Sequence, residues 1–217
     1  MKFLDRFDAG EQLAEAIELD TKADTVVLAL PRGGIPLGLI ISKRHNIPFD
    51  VLLSKKIGHP SHSEYAIGAV SEDGEPILNK TETTDLEKDW IKKEVKTIRQ
   101  EMKRRRKQYG KVLKKISLKD KTVIIADDGI ATGMTMKAAI EAVRSLEAEK
   151  VIVAVPVIPK DTYKELKQMA DEVVSVEVPT HFIGAVGAYY TRFPQLEDDK
   201  VLELLESYAE ENKPKEI

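Results

Sequence analysis

The chain has 217 residues, 42% of them hydrophobic and 33% charged, which describes a soluble globular protein rather than a disordered one. It has no cysteine, which excludes disulfides, thiolate catalysis and cysteine-based zinc sites, and its net charge of −3 indicates nothing about partners. No apolar run has the length of a membrane span or a signal peptide, so we expect a cytoplasmic protein with no membrane partner.

Helical and strand-like patterns alternate through the first part of the chain. Residues 8–19 repeat apolar residues at helical spacing after Asp8, a candidate N-cap, and predict a first helix. An apolar, β-branched run at 24–30 predicts a strand that ends at "PRGG", followed by a helix at 34–46 and a strand at 49–53. Such apolar runs are typical of strands buried on both faces of a parallel sheet.

Two segments interrupt this alternation. Residues 55–78 hold much of the chain's Gly, His and Ser and predict a loop and a hairpin. Residues 83–115 predict one long charged helix with a narrow apolar stripe. Its basic run from Lys103 to Lys107 is compatible with polyanion contact, but charged helices usually present such runs to solvent, so we do not expect a nucleic-acid partner.

The alternation resumes in the second half of the chain. The predicted elements are strands at 122–126, 151–157 and 172–178 and helices at 135–148 and 160–170. Strands alternating with helices predict an α/β fold with a doubly wound, mainly parallel sheet, in which ligands bind at the carboxyl ends of the strands.

We therefore predict a single domain, residues 1–217. Its core comprises about 8–55 and 119–178, with a hairpin and long-helix insertion at 56–116 and a small C-terminal hood with a final helix at 179–217.

The segment "VIIADDGIATGMT" carries the clearest chemical signal. Backbone N–H groups of residues 131–135 are expected to be unpaired at a helix N-terminus, and the hydroxyls of Thr132 and Thr135 add donors, which predicts a phosphate site. Gly133 removes a side chain, so an anion can approach the backbone. The loop is not a Walker loop, because no lysine precedes its final threonine.

Two adjacent carboxylates precede this loop. Asp127 and Asp128 repel one another and need donors or a cation nearby. The cis-diol of a ribose supplies two hydroxyl donors, and magnesium could bridge nearby. The alternative is an acidic turn that caps the next helix.

This 13-residue segment resembles the signature of the type I phosphoribosyltransferases: four apolar residues, two acidic residues, a short spacer and T-G-x-T. These enzymes bind 5-phosphoribosyl-1-diphosphate (PRPP) and transfer its ribose phosphate to a nitrogen nucleophile. The resemblance implies that Asp127 and Asp128 hold the ribose hydroxyls and, directly or through those hydroxyls or water, magnesium. The residues implied to hold the 5-phosphate are Ala131, Thr132, Gly133, Met134 and Thr135.

The resemblance also implies a pyrophosphate site. Gly33 and Gly34 let the backbone approach an anion and Arg32 offers a planar fork of donors, although "PRGG" alone is compatible with an ordinary turn. Family members often have a non-proline cis peptide here. Lys55 and Lys56 occupy the place of the family's mobile catalytic loop, and with Arg32 they are implied to neutralise the pyrophosphate; the alternative is a solvated loop.

An aromatic-rich segment follows the last predicted strand. It resembles the hood of purine phosphoribosyltransferases, in which a Phe stacks on the base, so Phe182 and the neighbouring Ile183 are the base-binding candidates. The alternative is that Phe182, Tyr189 and Tyr190 are core residues. Ala131 stands where 6-oxopurine enzymes carry an aspartate, so the chain resembles the uncharacterised predicted phosphoribosyltransferases more than any enzyme of known substrate.

The expected function is magnesium-dependent transfer of ribose 5-phosphate from PRPP to a nitrogen nucleophile, such as a purine-like nucleobase, with release of pyrophosphate. The alternatives are a non-catalytic, PRPP-binding regulator and a lyase or hydrolase on the same sheet. Because the family commonly dimerises, the resemblance is also compatible with a homodimer.

Overall fold

The computed structural model describes residues 2–20 and 22–212. Its first elements are α1 (Arg6–Ala16), β1 (Thr25–Ala29), α2 (Gly34–His45) and β2 (Phe49–Val51). Next come β3 (Ser54–His59), β4 (His62–Ser71), β5 (Ile77–Leu78), α3 (Lys80–Thr83) and α4 (Lys88–Tyr109). The last are β6 (Thr122–Ala126), α5 (Met134–Ser145), β7 (Lys150–Val157), α6 (Lys160–Leu166), β8 (Glu172–Glu177), a 3₁₀ turn (Val186–Tyr189) and α7 (Asp198–Glu211).

The main sheet has the strand order β2-β1-β6-β7-β8, and every neighbouring pair is parallel. The chain moves outward from β1 to β2 on one side, then returns to place β6 on the other side of β1. This reversal makes the carboxyl ends of β1 and β6 the expected ligand-binding crevice of an open α/β sheet.

Alternating strand residues divide the hydrophobic core into two layers. Val27 and Ile124 face the layer that contains α1, α2, α4 and α7, whereas Val26 and Ile125 face the layer that contains α5 and α6. Because successive strand side chains point to opposite faces, apolar runs without polar interruptions are what a sheet covered by helices on both sides requires. The predicted doubly wound α/β sheet is confirmed.

The insertion is a three-stranded antiparallel sheet, β3-β4-β5, followed by two helices. The predicted hairpin is present, but the prediction of one helix over 83–115 was wrong. Asn79 caps the short α3, and Glu87 takes an extended conformation that separates α3 from α4. Apolar residues of the predicted stripe, including Ile91, Val95 and Ile98, are buried.

Arg106 anchors α4 to the rest of the domain. Its Nη1 donates to Asp50 Oδ1 at 2.8 Å and its Nε donates to Glu72 Oε2 at 3.0 Å. Asp50 is only 2% exposed, so the ion pair is largely shielded from water. The basic run of α4 is therefore not a uniform solvated face, because Arg106 within it is held by two carboxylates of the domain.

The first helix starts earlier than predicted. Its N-cap is Asp5 rather than Asp8: the Asp5 carboxylate accepts from the backbone N–H groups of Phe7 and Asp8, while the Asp8 carboxylate accepts from Leu4 N–H. The other predicted strands and helices of the main sheet are present, with ends displaced by a few residues. None of the described helices is both long enough and apolar enough to cross a membrane.

Candidate active site

The turn after β1 and the loop after β6 pack against each other at the carboxyl edge of the sheet. Leu30 N–H donates to Ala126 O at 2.9 Å, and the Pro31–Arg32 peptide bond is cis, as the family resemblance implied. A Cβ atom at Gly33 would overlap the Asp128 carboxylate, and one at Gly34 would overlap the Ala126 carbonyl. The two glycines are thus required for this contact, in addition to their predicted role towards an anion.

The two adjacent aspartates have different environments. Asp127 Oδ1 accepts from the backbone N–H of Asp128 at 2.9 Å, and no Lys or Arg of the described chain forms an ion pair with it. Burial, followed by the charge of Asp128, raises the pKa of Asp127 well above its ordinary value. Burial also raises the pKa of Asp128, although the Arg6 guanidinium opposes this shift.

Arg6 is a site residue that the sequence analysis missed. Its Nε donates to Asp128 Oδ2 at 2.7 Å, and its Nη1 donates to Pro194 O at 2.7 Å. Its guanidinium also lies 3.8 Å from the ring centroid of Phe193. Tyr190 completes the arrangement by donating its hydroxyl to Asp128 O at 2.6 Å. No local motif marks Arg6; its partners are distant in sequence and meet it only through the fold.

The predicted phosphate loop forms a concave surface at the start of α5. Gly133 has a φ of 74°, a left-handed conformation that favours glycine, and a Cβ atom there would lie 2.7 Å from Thr162 Cγ2. All five predicted phosphate-binding residues, 131–135, line one pocket of about 200 Å³. Asp127 and Lys56 line the same pocket. One space therefore combines a carboxylate, a helix N-terminus and a cation.

The two predicted catalytic lysines lie on β3 and not in a loop, which corrects that part of the prediction. Successive residues of a strand point to opposite faces, so the side chains of Lys55 and Lys56 diverge. Lys56 lines the phosphate-loop pocket, whereas Lys55 Nζ forms an ion pair with Glu101 Oε2 at 2.6 Å. The sequence could not indicate this division without the register of the antiparallel sheet.

Arg32 faces the start of α7. Its Nη1 lies 3.4 Å from Glu197 Oε2 and 3.6 Å from Asp198 Oδ1. Arg32, Gly33 and Arg6 also line a neighbouring cavity of about 400 Å³. Arg32 is therefore beside the aspartate-bearing edge but is paired with carboxylates of the C-terminal segment.

The predicted base-binding residues lie in the segment before α7. Phe182 is half-buried and stacks on Tyr189 with ring centroids 5.2 Å apart, while Ile183 is 66% exposed. Tyr189 and Tyr190 are buried, in agreement with the core interpretation for these two residues. Val186, from the same segment, lines the phosphate-loop pocket, so the hood borders the site.

The sequence matches the phosphoribosyl transferase domain family over residues 4–191. The chain belongs to this family. It is 40% identical over 207 residues to a Mycobacterium tuberculosis protein, found in strains CDC 1551 and H37Rv, whose name assigns it provisionally to the phosphoribosyl transferases. The match covers 94% of this chain and 46% of that relative, so the chain spans about half the length of the curated relatives it matches.

A solved structure is similar to this chain over nearly its whole length. The protein TT1426 from Thermus thermophilus is 37% identical to this chain, with a TM-score of 0.81, and the match covers 96% of this chain and 99% of TT1426. The family resemblance of the sequence and the fold it implied are both confirmed.

The predicted magnesium ion can be compared with the carboxylates of the candidate site. Within residues 2–20 and 22–212, no group of three or more His, Cys, Asp or Glu side chains is arranged to hold a metal. Magnesium is usually bound by one or two carboxylates together with waters and substrate phosphates rather than by an all-protein cage. Asp127 forms no ion pair within residues 2–20 and 22–212 and lies beside the predicted phosphate loop, so its carboxylate suits that kind of shared site.

Proposed function

We propose that this chain transfers the ribose 5-phosphate of PRPP to a nitrogen nucleophile, with magnesium, and releases pyrophosphate. The observation that carries the proposal is the single pocket lined by Asp127, Lys56 and residues 131–135. A ribose 5-phosphate needs a carboxylate for its hydroxyls and backbone N–H groups with positive charge for its phosphate.

In the proposed complex, the N–H groups at the start of α5 bind the 5-phosphate and Lys56 adds a positive charge. The ribose hydroxyls donate to Asp127, whose ionised form lacks a cationic partner in the described chain. Ligand binding then offsets the cost of burying that charge, so the ionised carboxylate is stabilised when the sugar arrives.

The reaction breaks the bond between C1 of the ribose and the diphosphate, which leaves with the bonding electrons, and forms a bond from C1 to the acceptor nitrogen, whose proton is released to solvent. Positive charge develops on the ribose in the transition state, and the fixed charge of Asp127 and Asp128 stabilises it. Arg32 and Lys55 neutralise the departing pyrophosphate. Magnesium, held by Asp127 directly or through water or the ribose hydroxyls, would supply further neutralisation of the diphosphate.

We propose that the acceptor is a nucleobase, purine-like in size, that stacks on Phe182 beside Ile183. The support is the half-buried ring of Phe182 on Tyr189 and the exposed side chain of Ile183 in the segment that borders the site. Ala131 supplies no carboxylate to a base, which disfavours hypoxanthine and guanine as acceptors.

The test is to incubate the protein with PRPP and magnesium and a panel of nucleobases, and to measure pyrophosphate release. At least one base should produce pyrophosphate together with the matching nucleoside monophosphate. If PRPP binds and no base releases pyrophosphate, the transfer proposal fails for that panel and the non-catalytic regulator is favoured. Release without any base would instead indicate a hydrolase.

A further inference from the structure

A second polar pocket, of about 240 Å³, lies between the turn after β1 and the inserted helix α4. Pro31 of the turn lines one part of it, and Arg104 and Arg105 of α4 line another. Lys55 of β3 also lines it. The pocket thus joins the insertion to the loop that carries Arg32, a contact that the family signature does not describe.

Positive charge predominates in this pocket. Its lining contains Lys55, Arg104 and Arg105 against the two carboxylates of Glu101 and Asp198. The hydrogen bond from Lys55, followed by the charges of Lys55 and the two arginines, lowers the pKa of Glu101. Three cations around one small cavity favour an anionic ligand with several oxygen acceptors.

The Asp198 carboxylate lies between the guanidinium groups of Arg32 and Arg105. Asp198 Oδ1 is 3.6 Å from Arg32 Nη1 and 3.7 Å from Arg105 Nη2. These distances exceed the 2.7–3.2 Å of good N–H···O hydrogen bonds, and the Asp198 side chain is 50% exposed. Such an ion pair is weak, so a phosphoryl group with more charge and more oxygens can replace it.

A buried hydroxyl lies beside the same charges. Tyr109 is 1% exposed, and its hydroxyl has no hydrogen-bond partner among residues 2–20 and 22–212. Burial raises the pKa of Tyr109, and the charges of Arg105, Asp198 and Arg32 also act on it. Buried hydroxyls are normally hydrogen-bonded, so this one is an exception, although Tyr109 does not itself line the pocket.

We propose that Arg104 and Arg105 of the inserted helix, together with Lys55 and Arg32, form a binding subsite for a diphosphate group, and that the Asp198 carboxylate occupies this subsite in the ligand-free protein. The inference rests on the proposed function for the identity of the ligand, the diphosphate of PRPP or the released pyrophosphate. Lys55 is adjacent to Lys56 of the phosphate-loop pocket, and Pro31 is adjacent to Arg32, so the subsite adjoins the proposed sugar site.

The test compares three single substitutions by calorimetric titration with pyrophosphate, PRPP and ribose 5-phosphate at fixed ionic strength. Arg105→Gln should weaken pyrophosphate and PRPP binding by about tenfold, because a charged hydrogen-bond donor is lost, and leave ribose 5-phosphate unchanged. Asp198→Asn should tighten pyrophosphate binding by about threefold, because the competing charge is removed. Lys107→Gln is the control: it is exposed on the same helix, outside the pocket, and should change nothing.

The site proposal is overturned if Arg105→Gln and Lys107→Gln bind pyrophosphate equally well, or if Asp198→Asn binds it no better than the unchanged protein. These outcomes are independent of catalysis. If pyrophosphate binding depends on Arg105 while no base is phosphoribosylated, the subsite stands and the proposed function fails. If bases are phosphoribosylated and the Arg105 variant retains normal pyrophosphate affinity and KM for PRPP, the function stands and the subsite fails.

Discussion

Replacing Asp127 with Asn should make the ligand-free protein more stable and the ligand complex weaker. The Asn side-chain oxygen can still accept from Asp128 N–H, so the local geometry is retained. Because the folded protein raises the pKa of Asp127, it binds more protons than the unfolded chain at pH values from about 3.8 up to the raised pKa. The free energy of unfolding of the unchanged protein therefore falls as the pH rises through that interval.

The Asn variant has no carboxylate at position 127, so its free energy of unfolding does not fall in this way as the pH rises. Its Tm should therefore equal that of the unchanged protein at acidic pH and exceed it by a growing margin at higher pH. For binding, the variant loses the charged acceptor of the ribose hydroxyls. A hydrogen bond to a charged group contributes about 1.5–3 kcal/mol, so PRPP affinity should fall by about 10- to 150-fold. Differential scanning fluorimetry at several pH values and PRPP titration at pH 8 measure the two effects on one preparation.

Asp50→Asn is the matched control, because Asp50 is also a buried aspartate but is paired with Arg106. Breaking this pair should cost about 3 kcal/mol and lower Tm by about 6–12 °C for a domain of this size. The reasoning is refuted if Asp127→Asn lowers Tm at pH 8 as Asp50→Asn does, or if it leaves PRPP affinity unaltered.

Three further substitutions test the assigned roles. Gly133→Ala should destabilise the protein by about 1–2 kcal/mol in urea unfolding, because Gly133 has a φ of 74° and Thr162 is too close for a Cβ atom. It should also weaken ribose 5-phosphate binding, and a variant as stable as the unchanged protein would contradict the assigned backbone role. Lys56→Gln should weaken ribose 5-phosphate binding by about three- to tenfold while Lys55→Gln does not, and equal effects in isothermal titration would argue against the division between them. Phe182→Ala should abolish the thermal protection that a base gives in the presence of magnesium pyrophosphate, because about 1–3 kcal/mol of base stacking is lost. If the base still protects the variant, Phe182 is not part of the acceptor site.

The part of the site that the sequence predicts well is local in the chain. Residues 127–135 run from the end of β6 into the first turn of α5, so their shared position at the sheet edge is a consequence of contiguous sequence. The "PRGG" turn was predictable for the same reason, since the carboxyl ends of parallel strands lie at one edge. Their contact, including the need for glycine at position 33, depended only on β1 and β6 being neighbours.

The part that the sequence did not predict depends on contacts between distant segments. Arg6 reaches Asp128 because α1 begins at the sheet edge, which follows from the position of the Asp5 cap. Lys55 and Lys56 separate because they lie on a strand whose register is set by β4. Neither fact has a signature in spacing or composition, because both are set by tertiary packing.

The placement of the insertion between β1 and β6 also bears on the order of folding. These two strands pair at the centre of the sheet, yet β2, the small antiparallel sheet and α4 all lie between them in the chain. The β3–β4 hairpin needs only local loop closure, whereas the β1–β6 pairing closes a long loop, and non-local pairings form slowly. We therefore expect the amides of β3 and β4 to be protected before those of β6 in pulse-labelled hydrogen exchange. A partly folded chain would then contain the hairpin that carries Lys56 before the proposed phosphate loop after β6 has formed.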